Sequence, residues 1–267
     1  MYLLYTDETN VDRAHSAFFI YGGVAIASDK APSISGAIDS YRRDHGYKPE
    51  DKLKFNTREC PHIDPQTQKS LKRRVVQCAS EHGCVLFLSL INHKIATSPD
   101  DARRNEINRV CYHFNCFLHR VNDYGLVLVD TFPDAGLTDH LKEKFTVGVK
   151  GLPFSPVLRL DRILGFHVAS VGTSHFSSLI DVVIGGVRHA INTLSDPVKR
   201  PTAELLMRQV SPLLLRENAG RVSELSIFYS PKQIRVAAYL EQYRTVDDFF
   251  SSVGIETQRK PTDERTY

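Results

Sequence analysis

The chain has 267 residues, of which 42% are hydrophobic, and a formal net charge of +3. A chain of this length can bury one large core or two modest ones, so we expect a globular protein with one elaborated domain, or one domain and an appendage. The charge is too small to indicate a nucleic-acid partner by itself, because that inference needs a much stronger basic bias.

The cysteines exclude two kinds of small stabilising site. They are five in number and none is spaced as C-x-x-C, so neither a disulfide framework nor a zinc ribbon fits. The N-terminus lacks a basic stretch followed by an apolar region, and no segment has about 18 uncharged apolar residues in a row. We therefore expect reduced thiols, a cytoplasmic location, no export signal and no membrane partner.

The chain opens with a predicted hairpin. Residues 2–7 and 18–26 are short and rich in β-forming residues, and the turn-prone residues 9–12 follow the first of them. Apolar residues then recur at helical spacing over 34–41. The next part, 42–61, is polar and reads as a loop in which Leu53-Lys54-Phe55 is a candidate short strand.

Two helices begin with a related signal. Asp64-Pro65 supplies a helix cap and a first helical residue whose φ is already fixed, and Ser98-Pro99 repeats this arrangement. The first of these helices is predicted to end at Gly83, because glycine favours a helix end. A buried-type strand follows each helix, at 84–91 and at 126–130.

The second half continues the alternation. A short helix around 141–145 precedes two extended segments, 157–160 and 163–169, and a long helix is predicted over 174–194. Strands that alternate with helices after an opening hairpin indicate an α/β fold with a mixed sheet, not a helical bundle or a β-sandwich.

Three parts follow from this pattern. Residues 1–195 are predicted to form the α/β domain. Residues 196–257 are predicted to form a mainly helical extension, with a strand-like segment at 225–229 between two helices. The polar residues 258–267 are expected to be a flexible tail.

Three acids occupy positions where a carboxylate is unusual. Asp7 and Asp130 stand at the ends of predicted strands, and Asp181 is the only charged residue in the apolar run 176–187. Functional groups collect at strand ends in α/β sheets, because the rigid scaffold meets solvent there. Two carboxylates about 4 Å apart repel by roughly 4 kcal/mol at an effective dielectric of about 20. A cation is expected to offset this repulsion and the burial of Asp181.

The glycine pair at 185–186 supports such a cluster. Glycine in mid-helix weakens the helix by about 1 kcal/mol, and it is usually kept there because something packs closely. We expect it to bring the helix close to the sheet and Asp181 close to the strand ends. His175, near the start of the same helix, is a further candidate for contacting an attacking water.

Oxygen ligands alone indicate Mg²⁺ or Mn²⁺ and not zinc. Two such ions can activate a water and stabilise the leaving oxygen of an in-line displacement, which predicts phosphodiester hydrolysis. No glycine-rich nucleotide loop, serine-hydrolase elbow or paired-histidine zinc motif occurs in the sequence.

Each acid also has a structural interpretation, which stays open at this point. Asp7 fits a residue that caps the hairpin turn, and Asp130 fits a turn-forming acid before residues 131–134. Asp181 fits a surface residue if its helix is exposed on that side.

Five motifs occur in a distinctive order: Asp7-Glu8-Thr9, Tyr21-Gly22-Gly23-Val24, Leu53-Lys54-Phe55, Val129-Asp130 and Ser177-Ser178-Leu179-Ile180-Asp181. In this order they resemble the ribonuclease H-like proteins of domain-of-unknown-function family 3800. The likeness runs from about residue 1 to about residue 194. It implies a ribonuclease H-like three-layer α/β fold with a mixed sheet, followed by the C-terminal helical extension, and a metal-dependent nuclease acting on RNA or DNA.

The resemblance also implies roles for individual residues. It makes Asp7, Asp130 and Asp181 ligands of Mg²⁺ or Mn²⁺. Glu8 becomes a further ligand or a group that orients water. Lys54 matches a lysine that contacts a phosphate or a carboxylate.

The chain departs from the family pattern in three places. Thr9-Asn10 replaces Ser-Gly, Leu179-Ile180 replaces Gln-Ala, and Lys52 stands where the family has a glutamate. The third change motivates a rival hypothesis, in which the fold has lost catalysis and serves as a binding or interaction module. A phosphatase of small phosphoesters would use the same acids.

Basic residues offer a candidate surface for phosphates. They occur as Arg42-Arg43, as a cluster over 69–74 and as Arg103-Arg104. Helices normally carry such charges on their solvated side, so this alternative stays open as well.

Overall fold

The computed structural model describes residues 1–12, 16–96, 98–131, 136–152 and 155–265. The described strands are β1 (Tyr2–Thr9), β2 (Phe18–Ala27), β3 (Val85–Asn92), β4 (Gly125–Asp130), β5 (Val149–Leu152), β6 (Ser155–Leu158), β7 (Ile163–Ala169) and β8 (Ile227–Ser230). The described α-helices are α1 (Ala31–Asp44), α2 (Pro65–Glu81), α3 (Pro99–Arg120), α4 (Leu137–Thr146), α5 (His175–Thr193), α6 (Arg200–Val210) and α7 (Ala237–Ser252).

Six of the strands form one mixed sheet in the order β7-β4-β1-β2-β3-β8. The strands β1, β2 and β3 are antiparallel to their neighbours in this series, as the opening hairpin predicts. The strands β4 and β7 continue the sheet parallel to β1, and β8 lies parallel to β3 at the other edge. The predicted α/β fold with a mixed sheet is confirmed, and β5 and β6 form a separate pair.

Helices cover both faces of the sheet, because side chains alternate between the faces along each strand. Tyr5 belongs to a core shared with α1, α2, α5, α6 and α7. Its neighbour Leu4 belongs to a second core, shared with α3 and α4. The face with Tyr5 is called the α5 face below, and the face with Leu4 is called the α3 face.

The predicted helix starts are confirmed by their caps. Asp64 accepts hydrogen bonds from the backbone of Gln66 and Thr67 at 2.9 and 3.0 Å, with proline at the first helical position. Ser98 accepts one from the backbone of Asp101 at 3.0 Å. These caps satisfy N–H groups that have no partner inside the helix.

The predicted strand at Leu53-Lys54-Phe55 is wrong. Residues 51–54 have no regular structure, Phe55 lies in a bend, and a single 3₁₀ turn follows at Thr57–Glu59. The backbone N–H and C=O of Phe55 are bound by the charged side chains of Asp181 and Lys72, so they are not available for a strand ladder.

The C-terminal part is joined to the sheet. Residues 196–257 contain α6 and α7 and also β8, which pairs with β3. Residues 258–265, expected to be flexible, instead pack against the fold: Ile234 donates its N–H to the carbonyl of Thr262 at 2.9 Å, and Lys260 pairs with the buried Asp247 at 2.8 Å. None of the helices in the described part of the chain is long and apolar enough to cross a membrane.

Candidate functional site

Asp7 and Asp130 lie side by side where the parallel pairing of β1 with β4 ends, although β1 itself continues along β2 to Thr9. Thr6 is paired with Val129, so the next residues, Asp7 and Asp130, are neighbours across β1 and β4, where adjacent strands are about 4.8 Å apart. Oδ1 of Asp7 accepts a hydrogen bond from the backbone of Glu8 at 2.7 Å. Oδ1 of Asp130 accepts one from the backbone of Thr131 at 2.9 Å. Each carboxylate therefore accepts a hydrogen bond from the backbone of the residue that follows it.

Asp181 lies near Asp7 and is carried by a helix on one face of the sheet. It lies on α5, which packs against β1 and β2 on the α5 face. Oδ2 of Asp181 accepts a hydrogen bond of 2.6 Å from the backbone N–H of Phe55. Asp7 shares this face, because it is two residues beyond Tyr5 along β1. Residues 132–135, which contain most of the turn proposed for Asp130, lie outside the described residues.

The three acids share one electrostatic environment. Burial, together with the nearby carboxylates of Asp130 and Asp181, raises the pKa of Asp7 to about 7, against the hydrogen bond from Glu8. Burial also raises the pKa of Asp130 and of Asp181. In both cases the positive charge of Lys54 opposes the rise. Buried carboxylates that repel one another in this way are stabilised by a bound cation.

An open cavity of about 150 Å³ lies at this point. The residues that line it are Asp7, Glu8, Thr9, Lys54, Phe55, Asn56, Glu59, Asp181, Ile184, Gly185 and Arg188. The four from α5 follow the spacing i, i+3, i+4 and i+7, so they form one stripe along the helix. The lining combines carboxylates with two basic residues, Lys54 and Arg188. Carboxylates bind a metal ion and basic side chains bind a phosphate, so this lining suits a metal-bound phosphate.

Phe55 holds the loop that carries Lys54. Its N–H is bound by Asp181 and its carbonyl accepts a 2.9 Å hydrogen bond from the buried Nζ of Lys72. Its ring packs on Gly185, where an added Cβ would lie 2.4 Å from Cβ and Cγ of Phe55. The close approach that the glycine pair predicts is therefore made by this loop and not by the sheet. Lys54 is held beside Asp130 and Asp181 as a result.

Glu8 points the other way. Successive residues of a strand face opposite sides, and Glu8 lies on the α3 face, where its carboxylate accepts hydrogen bonds from Nε and Nη2 of Arg103, the latter at 2.7 Å. Nη1 of Arg103 also donates to Asp100 at 2.6 Å. Glu8 borders the cavity, but its carboxylate is engaged by a buried guanidinium that tethers β1 to α3.

Several other predicted residues lie outside the cavity lining. Lys52 is exposed, with its side chain near Gly172. His175 begins α5, and burial lowers its pKa. Of the predicted basic surface, Arg103 binds Glu8 and the guanidinium of Arg74 lies 4.2 Å from the ring centroid of Tyr41, so these two side chains have partners within the protein.

Sequence reasoning missed two cavity residues. Glu59, in the 3₁₀ turn, adds a fourth carboxylate to the lining, and no local motif marks it. Arg188 was detectable, because it follows Asp181 by seven residues and so lies on the same face of the predicted helix. Glu59 and Arg188 line the same cavity as Asp7, Glu8 and Asp181.

The carboxylates of Asp7, Asp130 and Asp181 are suitable ligands for a hard cation by their chemistry, but their side chains are not grouped as a metal site. Carboxylates alone are the ligands that Mg²⁺ and Mn²⁺ prefer. Within the described residues, however, no three His, Cys, Asp or Glu side chains are grouped so that they could hold a metal ion. One carboxylate oxygen each of Asp7, Asp130 and Asp181 accepts a backbone N–H.

No protein-family model, curated protein or solved structure matches this chain. The resemblance to family 3800 is thus carried by short motifs and remains a prediction. The residues at the cavity are the basis for assigning a function.

Proposed function

We propose that this chain is a divalent-metal-dependent nuclease that hydrolyses phosphodiester bonds in RNA or DNA, with a ribonuclease H-like fold. The observation that carries the proposal is that Asp7 and Asp181 line one cavity and that Asp130, beside Asp7 on the neighbouring strand, is coupled to both by its charge, although the three are far apart in the sequence. Such a cluster of repelling buried carboxylates is destabilising unless a cation or protons neutralise it. The layers of helices on both faces of a mixed sheet are compatible with the proposed fold.

In this proposal Asp7, Asp130 and Asp181 hold Mg²⁺ or Mn²⁺. When bound, the metal supplies Lewis acidity and a water of lowered pKa. Lys54, which already balances the charge of Asp130 and Asp181, pairs with a non-bridging phosphate oxygen. Glu8 was the predicted fourth ligand; its bonds to Arg103 favour a supporting role, in which it fixes the end of β1.

The proposal is tested by a nuclease assay of the purified protein with Mg²⁺ or Mn²⁺ on single-stranded and double-stranded RNA and DNA. Asp7→Asn and Asp130→Asn are expected to lower cleavage by about 100-fold or more, because each removes a metal ligand. Asp248→Asn, an exposed acid on α7, serves as the matched control and should cleave normally. Cleavage that is unchanged in both site variants would rule out the proposed centre.

A second candidate is a catalytically inactive binding or interaction module on the same fold. It is favoured by the lack of a metal-ready group among the described residues and by Lys52 in place of an acid. Calorimetric titration with Mn²⁺ separates the two candidates. If the chain is a nuclease, it is expected to bind Mn²⁺, and Asp7→Asn should abolish this binding. If it is an inactive module, the titration should show no binding heat that depends on these carboxylates.

A further inference from the structure

Arg188 is the C-terminal residue of the stripe on α5 that lines the cavity. It follows Asp181 by two helical turns, about 10 Å along the axis. Long side chains on a helix point back toward its N-terminus, so Arg188 extends toward Asp181 and the cavity. Its charge reaches Asp181, where it opposes the rise in pKa that burial causes.

Two cations, Lys54 and Arg188, line the cavity. Among the residues that the structure describes, neither Lys54 nor Arg188 forms an ion pair. The guanidinium of Arg188 lies 5.8 Å from the ring centroid of Phe55, near the outer limit of a cation–π contact. This leaves its planar set of donors available for an anion, and a guanidinium binds phosphate with two parallel hydrogen bonds.

The size of the cavity limits what enters it. Pockets that enclose a whole small ligand usually measure about 300 to 1,000 Å³, whereas this cavity measures about 150 Å³ and is open. It has room for about one phosphodiester group beside Asp7 and Asp181, so the rest of a longer substrate must lie outside it. Arg188 lines the cavity two helical turns beyond Asp181, with its guanidinium 5.8 Å from the ring centroid of Phe55.

We propose that Arg188 binds a second phosphate, adjacent to the one that is cleaved, so that the substrate is a nucleic-acid strand and not an isolated phosphoester. This inference rests on the proposed function, because the first phosphate is the one placed at the carboxylates. Arg188 therefore determines specificity, because it favours substrates that have a second phosphate next to the one that is cleaved. The alternative, a guanidinium that only packs on Phe55, predicts no effect on substrate choice.

The first test measures binding without cleavage. Fluorescence anisotropy of labelled single-stranded RNA and DNA oligonucleotides is recorded with EDTA over a range of salt concentrations, for the wild type, Arg188→Ala and Arg188→Lys. Loss of one phosphate contact is expected to weaken binding by about tenfold and to reduce the salt slope by about 0.7. Arg188→Lys should keep most of the slope. Arg208→Ala, at an exposed position on α6, is the control and should bind as the wild type does.

A null result in this test overturns the inference. That includes a wild type that does not bind oligonucleotides, an Arg188→Ala variant that binds equally well, and equal losses in Arg188→Ala and Arg208→Ala. Competition with inorganic phosphate is a further arm. If millimolar phosphate displaces the strand as well as an unlabelled oligonucleotide does, the site recognises single phosphates and the proposal fails.

The second test separates this inference from the nuclease proposal. Cleavage is compared for an oligonucleotide and for bis(4-nitrophenyl) phosphate, which has one phosphodiester and no neighbour. Arg188→Ala should raise KM about tenfold for the oligonucleotide and change it less than twofold for the small diester. Neutralising the neighbouring phosphate as a methylphosphonate should weaken the wild type and leave Arg188→Ala unaffected.

The outcomes can be told apart. Cleavage that requires Asp7 but is insensitive to Arg188 on both substrates keeps the nuclease and removes the second phosphate site. Strand binding that depends on Arg188, without any metal-dependent cleavage, keeps the phosphate site and removes the nuclease. Equal losses on both substrates assign Arg188 to the reacting phosphate itself, which also contradicts the inference.

Discussion

Phe55 and Asp181 are 126 positions apart in the chain and are joined by a 2.6 Å hydrogen bond from the backbone N–H of Phe55 to Oδ2 of Asp181. The carbonyl of the same residue is bound by Lys72 at 2.9 Å. Both backbone polar groups of one residue are thus held by charged side chains on two different helices. This clamp fixes the loop that places Lys54 at the cavity.

Removal of Lys72 is expected to loosen the clamp. Lys72→Met leaves the carbonyl of Phe55 without its charged donor, which should lower the free energy of unfolding by about 1 to 3 kcal/mol. Urea unfolding measures the change. Lys69→Met, an exposed lysine on the same helix, is the control and should unfold within about 0.5 kcal/mol of the wild type. Equal effects of the two substitutions would mean that the hydrogen bond to Phe55 contributes nothing.

The two neighbouring glycines of α5 should respond in opposite ways. At Gly185 an added methyl would lie 2.4 Å from Phe55, so Gly185→Ala is expected to displace the loop and to destabilise the protein by about 1 to 3 kcal/mol. At Gly186 the nearest atoms are 3.9 Å away. Gly186→Ala should therefore be neutral or stabilise by up to about 1 kcal/mol, through helix propensity.

Thermal or urea unfolding of both alanine variants tests this contrast. The double variant Gly185→Ala, Phe55→Gly should recover part of the loss, because both clashing atoms of Phe55, Cβ and Cγ, are gone. If Gly185→Ala alone is as stable as Gly186→Ala, the close packing of Phe55 on α5 is incorrect.

The sequence predicts the fold better than it predicts the loop. Alternating strand and helix patterns, together with the caps at Asp64 and Ser98, lead to the mixed α/β sheet, because periodicity and capping are local signals. The strand assigned at Leu53-Lys54-Phe55 failed for the opposite reason. Its backbone partners, Asp181 and Lys72, are distant in sequence, and no local pattern shows that they compete with a ladder.

In the candidate site, too, some features follow from local sequence patterns and others depend on residues that are distant in the sequence. That Asp7 and Asp130 lie together where the parallel pairing of β1 with β4 ends depends on the strand order, which hydrophobic periodicity does not specify. The direction of Glu8 was predictable from strand alternation, since adjacent residues face opposite sides. Its partner Arg103 was not, because the pairing depends on where α3 packs.

The role of Glu8 can be separated from that of the acids on the other face. Glu8→Gln removes the charge that binds Arg103, whose side chain is 5% exposed, so a loss of roughly 1 to 3 kcal/mol in unfolding free energy is expected. Mn²⁺ affinity, measured by calorimetry, should change by less than about threefold, because the carboxylate of Glu8 binds Arg103 on the opposite face of the sheet. Asp100→Asn affects the other, 61% exposed partner of Arg103 and is the control for stability. Loss of Mn²⁺ binding with unchanged stability would instead make Glu8 a ligand.

A buried histidine predicts how stability depends on pH. His113, on α3, is 5% exposed and its ring centroid lies 5.0 Å from that of Phe228. Burial lowers its pKa to about 4, with Glu224 opposing, whereas an unfolded chain has a histidine pKa of about 6.5. Between these values the unfolded chain binds a proton that the folded protein does not bind. The free energy of unfolding should therefore fall as the pH drops from about 6.5 to 4, by up to about 3 kcal/mol, and the contribution should be flat above 6.5.

His113→Gln tests this assignment because glutamine does not titrate and keeps a donor for the carbonyl of Leu225. Urea unfolding at pH 8, 6 and 4.5 should show a smaller loss of stability on acidification in this variant than in the wild type. His167→Gln, at an exposed position on β7, should leave the wild-type pH dependence intact. Identical pH profiles for the wild type and His113→Gln would show that other groups cause the acid sensitivity, and that desolvation between α3 and β8 does not keep His113 neutral in the folded protein.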